Sequence, residues 1–239
     1  MEDTIYTQHG IFVYRLLEKP IKHIYLRLQP DGIFDVSVPH HTSVKKREEV
    51  LRQKSAWMAR TLAQQRAAQA QHTPFTHQSG QTLYLQGKAY RFFRLQGEPA
   101  RIWIQGDGLY LRQMDDSDER ARRFLNQWEK QQAQQLYTRI HAALWPYFAA
   151  RKVMQPRIQW RVMRSRWGSC SKQKGRISLN VRLLRVPPAC FAYVVAHEYC
   201  HLLQPNHGLA FYQELAGCQP LYRQTEKKLK EWSFVLDIS

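Results

Sequence analysis

The chain has 239 residues, 44% of them hydrophobic, and its 36 Lys or Arg against 19 Asp or Glu give a formal net charge of +17. This length can bury a core without disulfides or a structural metal, and the composition excludes a disordered chain. The positive charge indicates phosphate-bearing or acidic partners, or a basic surface that only aids solubility. The N-terminus lacks the apolar run of a signal peptide, and the longest apolar stretch is far short of a bilayer span. We therefore expect a soluble, cytoplasmic protein without membrane contact.

The cysteines form no Cys-x-x-Cys pair or tight framework, and they are Cys170, Cys190, Cys200 and Cys218. They are typical of reduced thiols in a reducing compartment. A second zinc site built from them is the alternative interpretation.

The first third of the chain has the pattern of strands followed by a helix. Two runs of alternating apolar residues flank Pro30-Asp31-Gly32, which predicts a hairpin. From Thr42 to about Ala70 the apolar spacing becomes helical, with Thr42 or Ser43 available as the N-cap. The predicted buried positions of this helix are Val50, Leu51, Ala56, Trp57 and Leu62. Strand character then returns in "QTLYLQGKAYRFFRLQ" and "ARIWIQGDGLYLRQ".

A long helix is predicted from Asp116 to about Lys152. Its acidic opening, "DDSDE", complements the helix dipole, so we interpret it as capping rather than metal binding. The predicted buried stripe consists of Phe124, Trp128, Leu136, Ile140, Leu144 and Phe148.

The segment 151–185 contains eleven Lys or Arg and no acidic residue. Its apolar residues alternate in two runs, around Trp160 and Leu179, which predicts a hairpin or a neighbouring strand pair. The arginines expected to point away from the core are Arg157, Arg161, Arg176 and Arg182. This face is either solvated or binds phosphates, and it makes nucleic acid a candidate partner.

The run "ACFAYVVAHEYCHLL" is apolar almost all round and follows two prolines, which predicts a buried helix. His197 and His201 are four residues apart and therefore share one face, where both can bind a metal ion at about 2.0–2.1 Å. Glu198 is rotated away from this face, so it would reach a bound water, as in HExxH metalloproteases.

Pro205 disfavours helical geometry at Gln204, so the helix should stop near Leu203. The following turn can bring His207 back toward the other two histidines. This spacing is that of the third histidine in metzincins, with Gln204 in place of the glycine that makes their turn.

A carboxylate from a following helix is the competing third ligand, and the candidates are Glu214 and Glu226. Three neutral imidazoles would leave Zn²⁺ an open fourth position for water, which is a catalytic arrangement. Zinc lowers the pKa of such a water to about 7, and Glu198 can take its proton as general base. The candidate donors to the oxyanion are Tyr193, Tyr212 and Arg166. Glu214 is the first candidate to accept a hydrogen bond from the ring N–H of a ligand histidine that does not face the metal.

The motifs "RSRWGSCS", "GRISLN" and "HEYCHLLQPNHGLAFYQEL" resemble the YgjP-like zinc metallopeptidases, which are akin to SprT-like and WLM-type proteases. The resemblance implies zinc ligands at His197, His201 and His207 and a catalytic Glu198. It also implies that Trp167–Cys170 lies beside the cleft. The further candidates for substrate binding are Arg166, Trp167, Asn180 and Tyr212.

We expect an α+β fold in two parts. Residues 1–115 form a β-rich N-terminal region with one long helix, and residues 116–239 form a zincin-like hydrolase domain with a short antiparallel sheet and an active-site helix. Gly168 would permit a tight turn beside the cleft. Cys170 is either a thiol near zinc or a plain structural cysteine.

Three functions remain open. The first is a zinc metallopeptidase, in which the strand ending near Asn180 offers an edge to an extended peptide. The second is a zinc-dependent nucleotide phosphohydrolase of the nucleoside triphosphate pyrophosphatase type, with Arg164 or Arg166 clamping the phosphates. The third is a nucleic-acid-associated protease or binding protein that uses segment 151–185. Nothing in the sequence indicates an oligomeric state.

Overall fold

The computed structural model describes residues 2–29, 31–71, 75–163 and 165–236. The chain divides into two compact units, Met1–Thr73 and Pro74–Ser239. This division comes earlier than the boundary expected between residues 115 and 116. The reason is that the strands between residues 82 and 113 bury their apolar side chains in the same core as the C-terminal helices.

The first unit contains a four-stranded sheet and one helix. The strands are β1 (Glu2–Thr7), β2 (Gly10–Lys19), β3 (Tyr25–Leu28) and β4 (Phe34–Pro39), in the order β1-β2-β4-β3. β3 and β4 pair antiparallel, with Leu28 opposite Phe34, so the predicted hairpin is confirmed. Pro30 itself lies outside the described residues.

The helix of this unit, α1 (Val44–Gln71), begins where the sequence predicts. The Ser43 side chain accepts a hydrogen bond from the Lys46 amide at 3.3 Å, as an N-cap does. The buried residues of α1 are Leu51, Ser55 and Met58. Leu51 and Met58 belong to the same hydrophobic core as the apolar residues of the sheet. The prediction that Trp57 is buried is wrong, since 38% of it is exposed.

The second unit opens with another four-stranded sheet, which comprises β5 (Thr82–Leu85), β6 (Lys88–Gln96), β7 (Arg101–Gln105) and β8 (Gly108–Gln113). Its order is β5-β6-β8-β7. The long helix α2 (Asp118–Ala149) follows. Ser117 caps it by accepting a hydrogen bond from the Arg120 amide at 3.3 Å, so the acidic opening belongs to the helix start.

The buried face of α2 is rotated from the predicted stripe in its first half. Ala121, Leu125 and Glu129 are buried there, whereas Phe124 and Trp128 are only partly buried. The second half matches the prediction at its fully buried positions, which are Ile140, Leu144 and Phe148. A buried ion pair at Glu129 accounts for the rotation.

Glu129 has no exposed surface, and two arginines bind its carboxylate. Arg182 Nη1 lies 2.6 Å from Oε2 and Arg185 Nε lies 2.7 Å from Oε1. The expectation that Arg182 points away from the core is therefore wrong. Arg182 lies in a 3₁₀ turn, Val181–Leu184, which directs it inward to the acid on α2.

A three-stranded sheet follows α2 along the chain and precedes the last helices. It consists of β9 (Arg157–Arg161), β10 (Gly168–Ser171) and β11 (Arg176–Asn180), in the order β10-β11-β9. β10 pairs antiparallel with β11, but β9 pairs parallel with it, so the sheet is mixed rather than antiparallel. The reason is that the polar "GSCS" itself forms a strand and makes the hairpin with β11, which leaves β9 on the far edge. β11 is central, so the expectation that it offers a free edge is wrong.

Three helices complete the chain: α3 (Pro188–Leu203), α4 (Leu209–Cys218) and α5 (Tyr222–Glu231). The expected end of α3 at Leu203 is confirmed. The α+β fold class is confirmed as well. Within the ranges that the structure describes, no helix has the length and apolar character needed to cross a membrane.

Candidate metal centre

Helix α3 presents two histidines on one face. Most of the helix is buried, and Pro188 starts it in the first-turn position where a missing amide costs nothing. His197 and His201 follow each other by one turn, and their ring centroids lie 4.9 Å apart. The helix thus fixes the spacing of the pair before any ligand binds.

The chain leaves α3 abruptly and returns to this pair. Gln204, the residue before Pro205, has the extended angles φ −122 and ψ 111, as the proline requires. The turn carries His207 back until its Nε2 lies 3.1 Å from Nε2 of His197. One nitrogen from each of the three histidines falls within 4.8 Å of the others.

A buried phenylalanine forms the floor under the three imidazoles. Phe211, in the first turns of α4, lies with its ring centroid 4.9 Å from that of His197 and 4.7 Å from those of His201 and His207. Sequence reasoning did not single it out. Its position four residues after His207, on an amphipathic helix start, is the signal that was available.

The environment favours the neutral form of the half-buried His197 and His201. Burial, together with the neighbouring His201 and His207, lowers the pKa of His197 to about 4. Burial also lowers the pKa of His201. His201 Nδ1 donates to the carbonyl of Gln204 at 3.2 Å, which directs its Nε2 toward the other two rings. Neutral imidazoles with free Nε2 lone pairs are metal ligands.

The spacing of the nitrogens fits a zinc ion. Two nitrogens at about 2.0–2.1 Å from a tetrahedral zinc lie about 3.3 Å apart. The 3.1 Å between His197 Nε2 and His207 Nε2 is close to this value. The prediction that Glu214 orients a histidine is wrong: the Gln204 carbonyl binds His201, whereas Glu214 binds Tyr147 Oη at 2.9 Å and Arg151 Nε at 2.8 Å.

Glu198 lies beside the histidines and is only 6% exposed. Its carboxyl packs onto Gly168 of β10, where an added Cβ would lie 2.7 Å from Oε1 and 2.8 Å from Cγ. Gly168 is part of an extended strand, so the close approach of Glu198, rather than a tight turn, accounts for the glycine. Burial raises the pKa of Glu198 to about 8, and the charge of Arg166 opposes this shift.

A buried carboxyl beside three converging imidazoles, on a helix with the HExxH spacing, is the geometry of a metallopeptidase site. The family model of the YgjP-like metallopeptidase domain matches residues 22–232. The chain belongs to the YgjP-like family. It is therefore a metallopeptidase-type hydrolase, as the "HEYCHLLQPNH" and "WGSC" motifs indicated. No curated protein and no solved structure matches the chain.

The other residues predicted for the site of this YgjP-like domain fall in three kinds of position. Arg166 is exposed and its charge acts on Glu198. Trp167 is half-buried and packs against the core. Tyr212 lies beside the histidines, with its ring centroid 6.4 Å from that of His207. Arg164 lies outside the described residues.

Asn180 is fully buried, so we assign it to positioning rather than to substrate contact. Its Nδ2 donates to the carbonyls of Met163, at 2.7 Å, and Arg166, at 2.9 Å. Its Oδ1 accepts from the Arg182 amide at 3.0 Å. Asn180 thus holds the segment that precedes the "WGSC" strand of the YgjP-like domain.

The remaining ligand candidates are not part of the group of converging nitrogens, although the charge of Glu226 acts on the pKa of His197. Among the described residues, the group with metal-binding geometry contains His197, His201 and His207. Glu226 forms an ion pair with Lys230 at 2.8 Å. Burial, together with the charge of Glu198, raises the pKa of Cys170 to about 11, so this thiol is protonated at neutral pH. All four cysteines are free thiols.

Proposed function

We propose that this protein is a zinc-dependent metallopeptidase in which His197, His201 and His207 hold the metal and Glu198 is the general base. The observation that carries the proposal is the convergence of three imidazoles beside a buried carboxyl, in a chain of a metallopeptidase family. Imidazole ligands favour zinc among the common catalytic metals of hydrolases, and three of them leave a coordination position open.

A bound zinc ion supplies Lewis acidity, which lowers the pKa of a water molecule to about 7 and polarises the carbonyl of a peptide. The protein supplies the proton transfer. The Glu198 carboxylate would take the proton of the attacking water and return it to the leaving amine. Burial raises the pKa of this carboxyl, which favours the protonated form that holds the proton between the two transfers.

The chain also offers a place for an extended substrate. β10 lies at one edge of its three-stranded sheet, and Gly168 in this strand contacts Glu198. A peptide that pairs with this edge would run past the carboxyl, and its backbone would gain the hydrogen bonds of an added strand. This edge replaces the one first expected at β11.

Metal analysis and two variants test the proposal. We expect about one zinc per chain, lost in His201→Ala and retained in Glu198→Gln. Wild-type protein should cleave an unfolded protein substrate, and Glu198→Gln should not. Active Glu198→Gln would contradict the assignment of the general base, and a native protein without bound metal would contradict the whole proposal.

A nucleotide phosphohydrolase is the second candidate, because the exposed Arg166 lies close enough to Glu198 to act on its pKa and could bind a phosphate there. Incubation with nucleoside triphosphates, beside the unfolded protein, separates the two. Turnover of triphosphates without any peptide cleavage would favour this candidate. Loss of that turnover in Arg166→Ala, with zinc retained, would identify Arg166 as the residue that binds the phosphates.

A further inference from the structure

A groove lies between α4 and α5, directly beyond the metal centre. Its volume is about 430 Å³, which is within the range of pockets that hold small ligands. The apolar and aromatic part of its lining consists of Leu209, Tyr212, Ala216, Pro220, Leu221 and Tyr222. At its margin Leu209 is 77% exposed and Leu221 is 64% exposed. Two large leucines open to solvent at one concave surface indicate a binding site.

The groove is continuous with the metal centre through one side chain. Tyr212 faces His207, with ring centroids 6.4 Å apart, and stacks on Tyr222 at 5.9 Å with an interplanar angle of 25°. The same tyrosine is therefore a wall of the metal site and a wall of the groove.

The position of the groove suits the side chain of a peptide, because Tyr212 borders both the histidines and the groove. An extended chain advances about 3.3 Å per residue, and successive side chains point to opposite faces. A side chain close to the scissile bond is therefore the part of a peptide that would enter the groove when the carbonyl lies at the metal. The volume accommodates a side chain as large as leucine or phenylalanine.

The lining also indicates which side chain fits. A charged group would lose hydration against the leucines and tyrosines without gaining a matched partner. Arg223 borders the groove, but its Nε donates to Tyr222 Oη at 3.1 Å, and its guanidinium lies over the Tyr222 ring at 5.8 Å. It therefore supports the wall and is not directed into the space as a free cation.

We propose that this groove is the subsite that receives a bulky apolar side chain of the peptide substrate, one or two residues from the scissile bond. The proposal rests on the metallopeptidase function. It makes Leu209, Tyr212 and Leu221 determinants of specificity, and it defines the substrate class as segments with exposed leucine or phenylalanine, such as unfolded chains.

Binding and cleavage are measured on one set of capped heptapeptides of alanine, with a central leucine, phenylalanine, alanine or aspartate. Zinc-loaded Glu198→Gln reports binding by fluorescence polarisation without turnover, and wild-type protein reports cleavage position by mass spectrometry. We expect leucine and phenylalanine to improve affinity and kcat/KM by about 10-fold or more over alanine. The bond cleaved should lie at a constant spacing from the bulky residue.

Two substitutions address the groove itself. Leu221→Asp puts a charge at its margin, and because Leu221 is the N-cap residue of α5, aspartate is favourable for folding there. Ala216→Met fills the groove from α4. Each should reduce the preference for leucine to less than threefold. The control Met154→Asp changes a residue that is 88% exposed and outside the groove, and it should keep the preference.

The outcomes separate the two proposals. If wild-type protein cleaves no peptide and zinc-loaded Glu198→Gln binds none, the metallopeptidase function itself is contradicted. If peptides are cleaved but the four central residues behave alike, or if both groove variants keep the leucine preference, only the subsite is overturned. Light scattering tests a different occupant. A dimer that Leu221→Asp dissociates would assign the groove to a second copy of the chain and overturn the subsite.

Discussion

Gly168→Ala perturbs the candidate base without touching a metal ligand. The added methyl group would lie 2.7 Å from Oε1 and 3.0 Å from Cδ of Glu198, whereas ordinary contact begins at 3.4 Å. The strand and the carboxyl must therefore separate by about 0.7 Å. Glu198 is on a buried helix turn, so little free space relieves this contact. Overpacking of this kind costs about 1–3 kcal/mol.

The expected effect on catalysis is larger than that on stability. Displacing a reacting group by about 1 Å can lower a rate by about 100-fold. We therefore expect kcat/KM for peptide cleavage to fall by about 10- to 100-fold, with zinc content unchanged because the three histidines are not contacted.

The assay combines kcat/KM, metal content and the thermal unfolding midpoint for each variant. Gly208→Ala is the matched control: an added Cβ there meets nothing within 4 Å, and its φ of −86 suits any residue. This control lies next to His207 and should remain active. Folded, zinc-loaded Gly168→Ala with kcat/KM within twofold of wild type would refute the reasoning that the glycine positions Glu198.

The buried ion pairs of Glu129 with Arg182 and Arg185 lead to two further predictions. Glu129→Ala leaves Arg182 and Arg185 buried without their acid and should lower the free energy of unfolding by about 3–5 kcal/mol, whereas the exposed Glu119→Gln should have little effect. A denaturant titration that ranks the two variants as equal would contradict this. Burial, together with the charges of Arg185 and Arg182, lowers the pKa of His77 to about 4. Between about pH 6.5 and 4, His77 therefore binds a proton in the unfolded chain but not in the folded chain. The free energy of unfolding should fall as the pH falls through this range. The His77→Gln variant should lose part of this slope, and an unchanged slope would remove His77 from the explanation.

The segment from α3 to His207 was the most predictable part of the chain from its local pattern. The end of α3 at Leu203 follows from the steric effect of Pro205 on Gln204, which acts between neighbouring residues. The pairing of His197 with His201 follows from helix geometry alone. Even the return of His207 needed only a turn after a proline. These features depend on interactions of a few residues, so the sequence carries them directly.

Long-range partners decided the features that the sequence misassigned. An arginine in an alternating basic segment looks solvent-facing, and nothing local reveals that Glu129, far away in α2, binds Arg182. The same holds for Asn180, whose position in a strand does not disclose the carbonyls of Met163 and Arg166 that it holds.

The sequence by itself determined the family, and it predicted the helix of the HExxH motif with the candidate histidines and glutamate, because spacing along a helix and a proline turn are local properties. Only the tertiary structure decided why Gly168 is a glycine, that Phe211 lies under the imidazoles, that β10 and not β11 is the strand edge, and that a groove continues beyond Tyr212. Each of these depends on which surfaces meet when separate elements pack. Packing is a property of the folded chain that no single segment contains.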